Sequence, residues 1–162
     1  MKKISFTTMA VVFLLLCTNG IQAQTKLNQV ELMKQFTGTW KGEVGKDTTF
    51  IWIGESIGNG IEANVKTMTK GKIISKGKVI VAYDAKSDKF IETEIIDGSD
   101  ALIYAWWFTS KNVSISIPFQ DFSNPENASF KVKFEMKSPD IVTQTVMVNN
   151  NPIQTVTFTR EK

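Results

Sequence analysis

Two tyrosines, a pair of closely spaced glutamates and a dense set of aromatics are the side chains of this sequence with chemistry to offer. Tyr83 and Tyr104 each carry a phenol that can donate or accept a hydrogen bond. Glu92 and Glu94 share one face of any extended strand, as the two acids of a glycosidase must. Carboxylates at this spacing are also commonplace on solvated strands, and an exposed face is the expectation for both. Phe50, Trp52, Tyr83, Tyr104, Trp106 and Phe108 are a heavy aromatic set for one small domain. Turned inward, they would line an apolar ligand pocket with two phenols as polar handles. The competing reading is ordinary core packing. Trp106 and Trp107 are neighbours, so on a strand they must face opposite sides. Lys66, Lys70, Lys72, Lys76 and Lys78 gather around one hairpin, with Glu62 as the nearby acid. They read either as a basic rim for an anionic headgroup or as a solvated face that discourages strand-to-strand aggregation. The second reading is favoured.

Much chemistry is absent. The sequence has no histidine, which removes the commonest metal ligand and the usual general base near neutral pH. Its single cysteine, Cys17, lies in an N-terminal segment that reads as a secretory signal. Lys2 and Lys3 form a positive start, Ala10 to Leu16 a short apolar run, and Ile21-Gln22-Ala23 places a small residue at a cut. The run is too short to cross a bilayer as a helix, and no stable membrane span is expected. The expected division is residues 1–23 as signal peptide and 24–162 as one domain, exported to the periplasm or the exterior. Leu14-Leu15-Leu16-Cys17 has the outline of a lipid-attachment site. Such sites require a small residue before the cysteine, and Leu16 is large, so no lipid anchor at Cys17 is expected. Without Cys17 the remaining chain has no thiolate for catalysis or metal binding. No glycine-rich phosphate loop, serine triad or metal constellation is present, and no cofactor is expected. Without Lys2 and Lys3 the formal charge of +3 falls to +1, which argues against a nucleic-acid partner. The partner expected is a small hydrophobic ligand; the oligomeric state is not legible.

The elements that must position these residues begin with a short helix. Asn28 and Glu31 have the spacing of a capping box, flanked by Leu27 and Leu32 at the staple positions. Val30, Met33 and Phe36 give one narrow apolar face, and Gly38 can take the left-handed conformation that closes a helix. From Trp40 onward apolar and polar residues alternate in short runs separated by turn residues. Gly58-Asn59-Gly60 is a strong hairpin signal. Gly77 suggests a bulge or bend inside a strand from Ile73 to Tyr83. Ala101 to Phe108 has almost no polar side and reads as a strand covered on both faces. Gln120 to Ala128 is the one long loop. The count is about ten strands with hairpin-length links, the pattern of an all-β, antiparallel up-and-down barrel with a short N-terminal helix. Closure would also remove the exposed edges that such a sheet would otherwise carry.

The triplet Gly38-Thr39-Trp40 after a short helix resembles the G-x-W motif that opens the first strand of lipocalins in the calycin superfamily. The wider pattern is Phe36-x-Gly38-x-Trp40-x-Gly42, Tyr83-Asp84 midway, and Thr157-Phe158-Thr159-Arg160 at the end. It is similar to bacterial lipocalin-like families of unknown function, and to the nitrobindin-like ten-stranded barrels. The resemblance implies an exported barrel that binds a small apolar or amphipathic molecule. It also implies that Arg160, the only arginine in the sequence, packs across Trp40 at the barrel base. Nitrobindin-like barrels hold haem through a histidine; this sequence has none, so haem is not carried over. Two alternatives stand beside the binding reading. One is an isomerase or hydrolase on the same barrel, which would need a carboxylate of raised pKa beside Tyr83 or Tyr104. The other is an interaction module with a filled core.

Overall fold

In the computed structural model, which describes residues 26–162, ten strands close into one antiparallel barrel. The expected signal peptide, its cut after Ala23 and Cys17 lie outside the described residues. The strands are β1 (Gly38–Gly45), β2 (Thr48–Ile57), β3 (Gly60–Thr69), β4 (Lys72–Asp84) and β5 (Lys89–Ile96). They continue as β6 (Leu102–Ser110), β7 (Val113–Pro118), β8 (Phe130–Ser138), β9 (Ile141–Val148) and β10 (Asn151–Arg160). Each strand pairs with its sequence neighbours, and β1 closes on β10. This is the up-and-down order that the short links predict. No helix among the described residues is long and apolar enough to cross a membrane.

Side-chain alternation sorts each strand into an inner and an outer face. Trp40, Val65, Val81, Phe90, Trp106 and Phe158 converge in one buried interior cluster. A second, smaller cluster forms outside the barrel, where Ala105, Ile117 and Ala128 are buried with Trp107 and Phe122 against them. The stretch read as a long loop carries two 3-10 turns, Phe119–Asp121 and Pro125–Asn127, and covers part of β6 and β7. Trp106 therefore faces in, and Trp107 lies under that cover with Lys89 Nζ 4.1 Å from its ring centroid. Cover on both faces holds for Ala105 to Phe108 only. Leu102 and Ile103, at the start of β6, are 43% and 47% exposed, bordering a surface groove with Phe119 and Gln120 rather than lying under the loop.

The strand containing Gly77 is not interrupted there. Its register shift lies at Ile74, where Ser75 pairs with Thr67 and Ile73 with Met68. Gly77 continues the ladder, and a Cβ on it would collide with the Ile95 carbonyl oxygen of β5. Its role is close backbone approach rather than a bulge.

The N-terminal helix, α1 (Gln29–Met33), continues as a 3-10 turn over Lys34–Phe36. Asn28 Oδ1 accepts from the Glu31 backbone N–H at 3.2 Å, which is half of the capping box. The other half is not made, because the Glu31 carboxylate pairs with Lys34 Nζ at 2.7 Å. Met33 and Phe36 are buried against the barrel interior. Gln29 is buried as well: its amide donates to the Phe108 carbonyl at 3.0 Å and accepts from the Phe108 N–H at 2.8 Å. The β5–β6 ladder stops at the Phe90–Trp106 pair, so this side chain supplies the two backbone bonds that Phe108 would otherwise lack.

The barrel base is closed where the first and last strands meet. Trp40 pairs with Arg160 across the seam, and the guanidinium carbon lies 4.1 Å from the indole centroid. The packing that the resemblance implies is present. Arg160 Nη2 donates to the Gln35 carbonyl at 2.8 Å and Nε to that of Pro139 at 3.1 Å, while Nη1 donates to Thr37. Gly38 has φ +94°, and a Cβ there would stand 2.8 Å from Arg160 Nη1. Both the dihedral and the guanidinium require glycine. Trp40→Ala removes a large buried side chain together with its cation partner, and is expected to cost about 3–5 kcal/mol. Urea denaturation checks this; an unchanged midpoint would refute the role given to the pair.

Candidate functional site

The barrel interior holds a cavity of about 220 Å³. Its wall is built from inward positions of eight strands and the end of the 3-10 turn. Phe36, Trp40, Phe50, Trp52, Phe134 and Phe158 give it aromatic sides, and Val65, Val79, Val142 and Ile96 fill between them. Two polar side chains reach the lining, Glu94 from β5 and Gln144 from β9. The indole N–H groups of the lining are already engaged. Trp40 Nε1 donates to the Thr37 carbonyl at 3.3 Å and Trp52 Nε1 to the Phe36 carbonyl at 2.9 Å. Both bonds tie the cavity wall to the chain entering β1.

The glutamate pair is inside the barrel, which corrects the expectation of an exposed face. Phe90, Glu92, Glu94 and Ile96 alternate on the inner side of β5, opposite Tyr83, Val81, Val79 and Gly77 of β4. The outer side carries Ile91, Thr93 and Ile95. Apolar residues on both faces make the sequence ambiguous, and polarity alone assigned the glutamates to the wrong side. Glu92 is 6% exposed. Burial holds its carboxyl well above the usual carboxylate range, and the charge of Glu94 and a hydrogen bond with Glu94 push in the same direction. Burial and the neighbouring carboxylate thus both disfavour the charged form of Glu92. Tyr104 pairs with Glu92 across the β5–β6 ladder. Its phenol is pushed up to about 12, first by burial and then by the Glu94 and Glu92 charges. Tyr104 is therefore a neutral hydrogen-bonding group beside the pair.

The six aromatics selected from the sequence do not form one set. Phe50 and Trp52 line the cavity. Trp106 and Phe108 are buried behind it, with Phe36 4.8 Å from the Trp106 ring centroid and 6.1 Å from that of Phe108. Tyr104 faces the carboxyl pair. Tyr83 packs on Phe90 at 5.4 Å and turns its hydroxyl to Asp88 Oδ1 at 2.6 Å. That bond raises the tyrosine and lowers the aspartate, and Lys26 completes the group at 3.1 Å from Asp88. The lining residues not selected, Phe36, Trp40, Phe134 and Phe158, all show strand or helix-face periodicity. Glu94 gave no sequence signal beyond its spacing from Glu92.

The lysines of the β3–β4 hairpin stand away from the cavity. Lys66, Lys76 and Lys78 border an outer groove with Ile73 and Ile95, and Lys78 pairs with Glu62. Among the described residues, no three of His, Cys, Asp or Glu come together to hold a metal ion. No protein-family model matches the chain, and a comparison with curated proteins finds no match.

The raised Glu92 carboxyl links stability to pH. Above the ordinary carboxylate value of 4.5 the unfolded chain gives up this proton while the folded chain keeps it. Stability is therefore fullest on the acid side and is lost as pH rises toward the folded value. Glu92→Gln keeps the shape without the ionisation. Its melting temperature is expected to exceed that of the unsubstituted protein by several degrees at about pH 8, with the gap narrowing toward about pH 5. Thermal scans across that range check the sign; a gap that widens on acidification would contradict it.

Proposed function

We propose that this chain is an exported, lipocalin-like barrel whose interior binds a small apolar or amphipathic molecule. A closed ten-strand barrel is compatible with that role, and the observation that carries it is the aromatic-walled cavity of about 220 Å³. An apolar cavity of about 150 Å³ already takes up benzene. Space of this size suits one ring with a short chain, and it supports binding over a filled core. The Arg160–Trp40 pair at the base and the G-x-W triplet support the lipocalin-like reading. The apolar run behind Lys2 and Lys3 supports export, with Gln24 as the first residue of the exported form.

A second reading draws on the same interior. Glu92 and Glu94 beside Tyr104 are the buried carboxyl group and phenol that an isomerase or hydrolase without histidine would need. On that reading, a molecule recovered from native purification is converted by the unsubstituted protein and returned unchanged by Glu94→Gln.

Binding is tested by titrating the purified protein with benzene, ethylbenzene and propylbenzene while following tryptophan emission. Trp40 and Trp52 line the space, so a saturable change is expected. Val65→Phe should fill the cavity and weaken binding by at least about tenfold, with the far-ultraviolet circular dichroism unchanged. No response to any of the three would refute the proposal. Intact mass of the exported protein, expected to begin at Gln24, tests the export reading.

A further inference from the structure

The cavity has one charged wall and no balancing charge. Glu94 lines it, Glu92 lies behind within hydrogen-bonding reach, and no lysine or arginine is among the lining residues. The neighbouring strands offer no compensation. β4 presents Val79 and Val81 to the pair, and β6 presents Tyr104 and Leu102. Everything acting on Glu92 among the described residues disfavours its charge. Ionising a carboxyl as buried as Glu92, with the half-buried Glu94 beside it, is costly unless a cation arrives to pair with them. The rest of the lining is selective in the same sense. Both indole N–H groups are spent on backbone carbonyls, so they have nothing to offer an anionic headgroup. The Trp and Phe faces that remain attract a cation.

We infer that the interior takes a small apolar amine, with its ammonium group at Glu94 and its hydrocarbon body among Trp52, Phe50 and Phe158. This rests on the binding reading above and narrows it to one ligand class. The ammonium would donate to a carboxyl oxygen of Glu94. Gln144, the other polar group of the lining, can accept a second ammonium hydrogen. A carboxylate ligand of the same size would meet like charge at the same wall.

The test is isothermal titration of the exported protein at neutral pH with four probes of similar size: 2-phenylethylamine, 2-phenylethanol, 3-phenylpropanoate and ethylbenzene. The amine is expected to bind at least roughly tenfold more tightly than the alcohol and the hydrocarbon, with the carboxylate weakest. In Glu94→Gln the ratio of amine to ethylbenzene affinity should collapse toward one. Hydrocarbon binding without any preference for the amine overturns this inference and leaves the binding reading in place. Silence from all four probes overturns both. An amine preference that survives Glu94→Gln also overturns the inference. The ranking on the unsubstituted protein decides the matter even where the variant does not fold.

Discussion

A ten-strand sheet of this kind becomes a barrel only if its first and last strands meet, and here they meet over few residues. Trp40, Lys41 and Gly42 pair with Arg160, Thr159 and Phe158. That short seam is reinforced by one side chain. The Arg160 guanidinium stacks on the indole of Trp40 and donates to backbone carbonyls at Gln35, Thr37 and Pro139. Three separate pieces of chain, the helix exit, the β8–β9 turn and the seam itself, are thereby held to one rigid fork. Charge-assisted bonds to carbonyls are among the stronger hydrogen bonds available to a protein. The ion pair with Asp140, at 3.5 Å and half-exposed, adds little beside them.

Closure at the base is what gives the interior its character. With Trp40 and Phe36 across one end and aromatic rings down the sides, the inner wall of β5 lies in surroundings that poorly support charge. A carboxyl placed there holds its proton more tightly than usual, and burial pushes Glu92 in that direction. Two further polar atoms, Trp106 Nε1 and Ser114 Oγ, are buried nearby in sequence pairing without a hydrogen-bond partner among the described residues. A core selected for stability alone would carry apolar side chains at such positions. Departures from the packing rule are expected where an interior has something to bind.

The architecture was legible because the strands alternate cleanly and their links are short. Phe130 to Met136 and Ile61 to Val65 declare their inner faces by composition, and the order of the barrel follows from hairpin lengths. The base was legible through Gly38, Trp40 and Arg160, one motif and one unique residue. The site was not. Glu92 and Glu94 occupy the inner face of a strand whose outer face is also apolar, so periodicity could not choose between them. Gln29 looks like an ordinary polar residue in the first turn of a helix. Its function as a substitute strand partner depends on where β5 begins relative to β6, a long-range register that no local pattern encodes. Gly77 misled for a related reason, since the close approach of Ile95 is a tertiary fact and the bulge lies three residues earlier. Tyr83 and Tyr104 have the same chemistry and strand parity, yet one is held by a turn aspartate and the other faces the carboxyl pair.

The proposed site depends on a buried Glu92 carboxyl, held above its ordinary range, beside an apolar cavity. The most direct measurement is a carbon-13 NMR titration of the glutamate side-chain carboxyls in the ligand-free protein. The Glu92 signal is expected to remain at its protonated position well above pH 4.5, the ordinary value. Titration of Glu92 near that ordinary value would mean that water reaches its carboxyl freely, and would contradict the burial on which the proposed site depends.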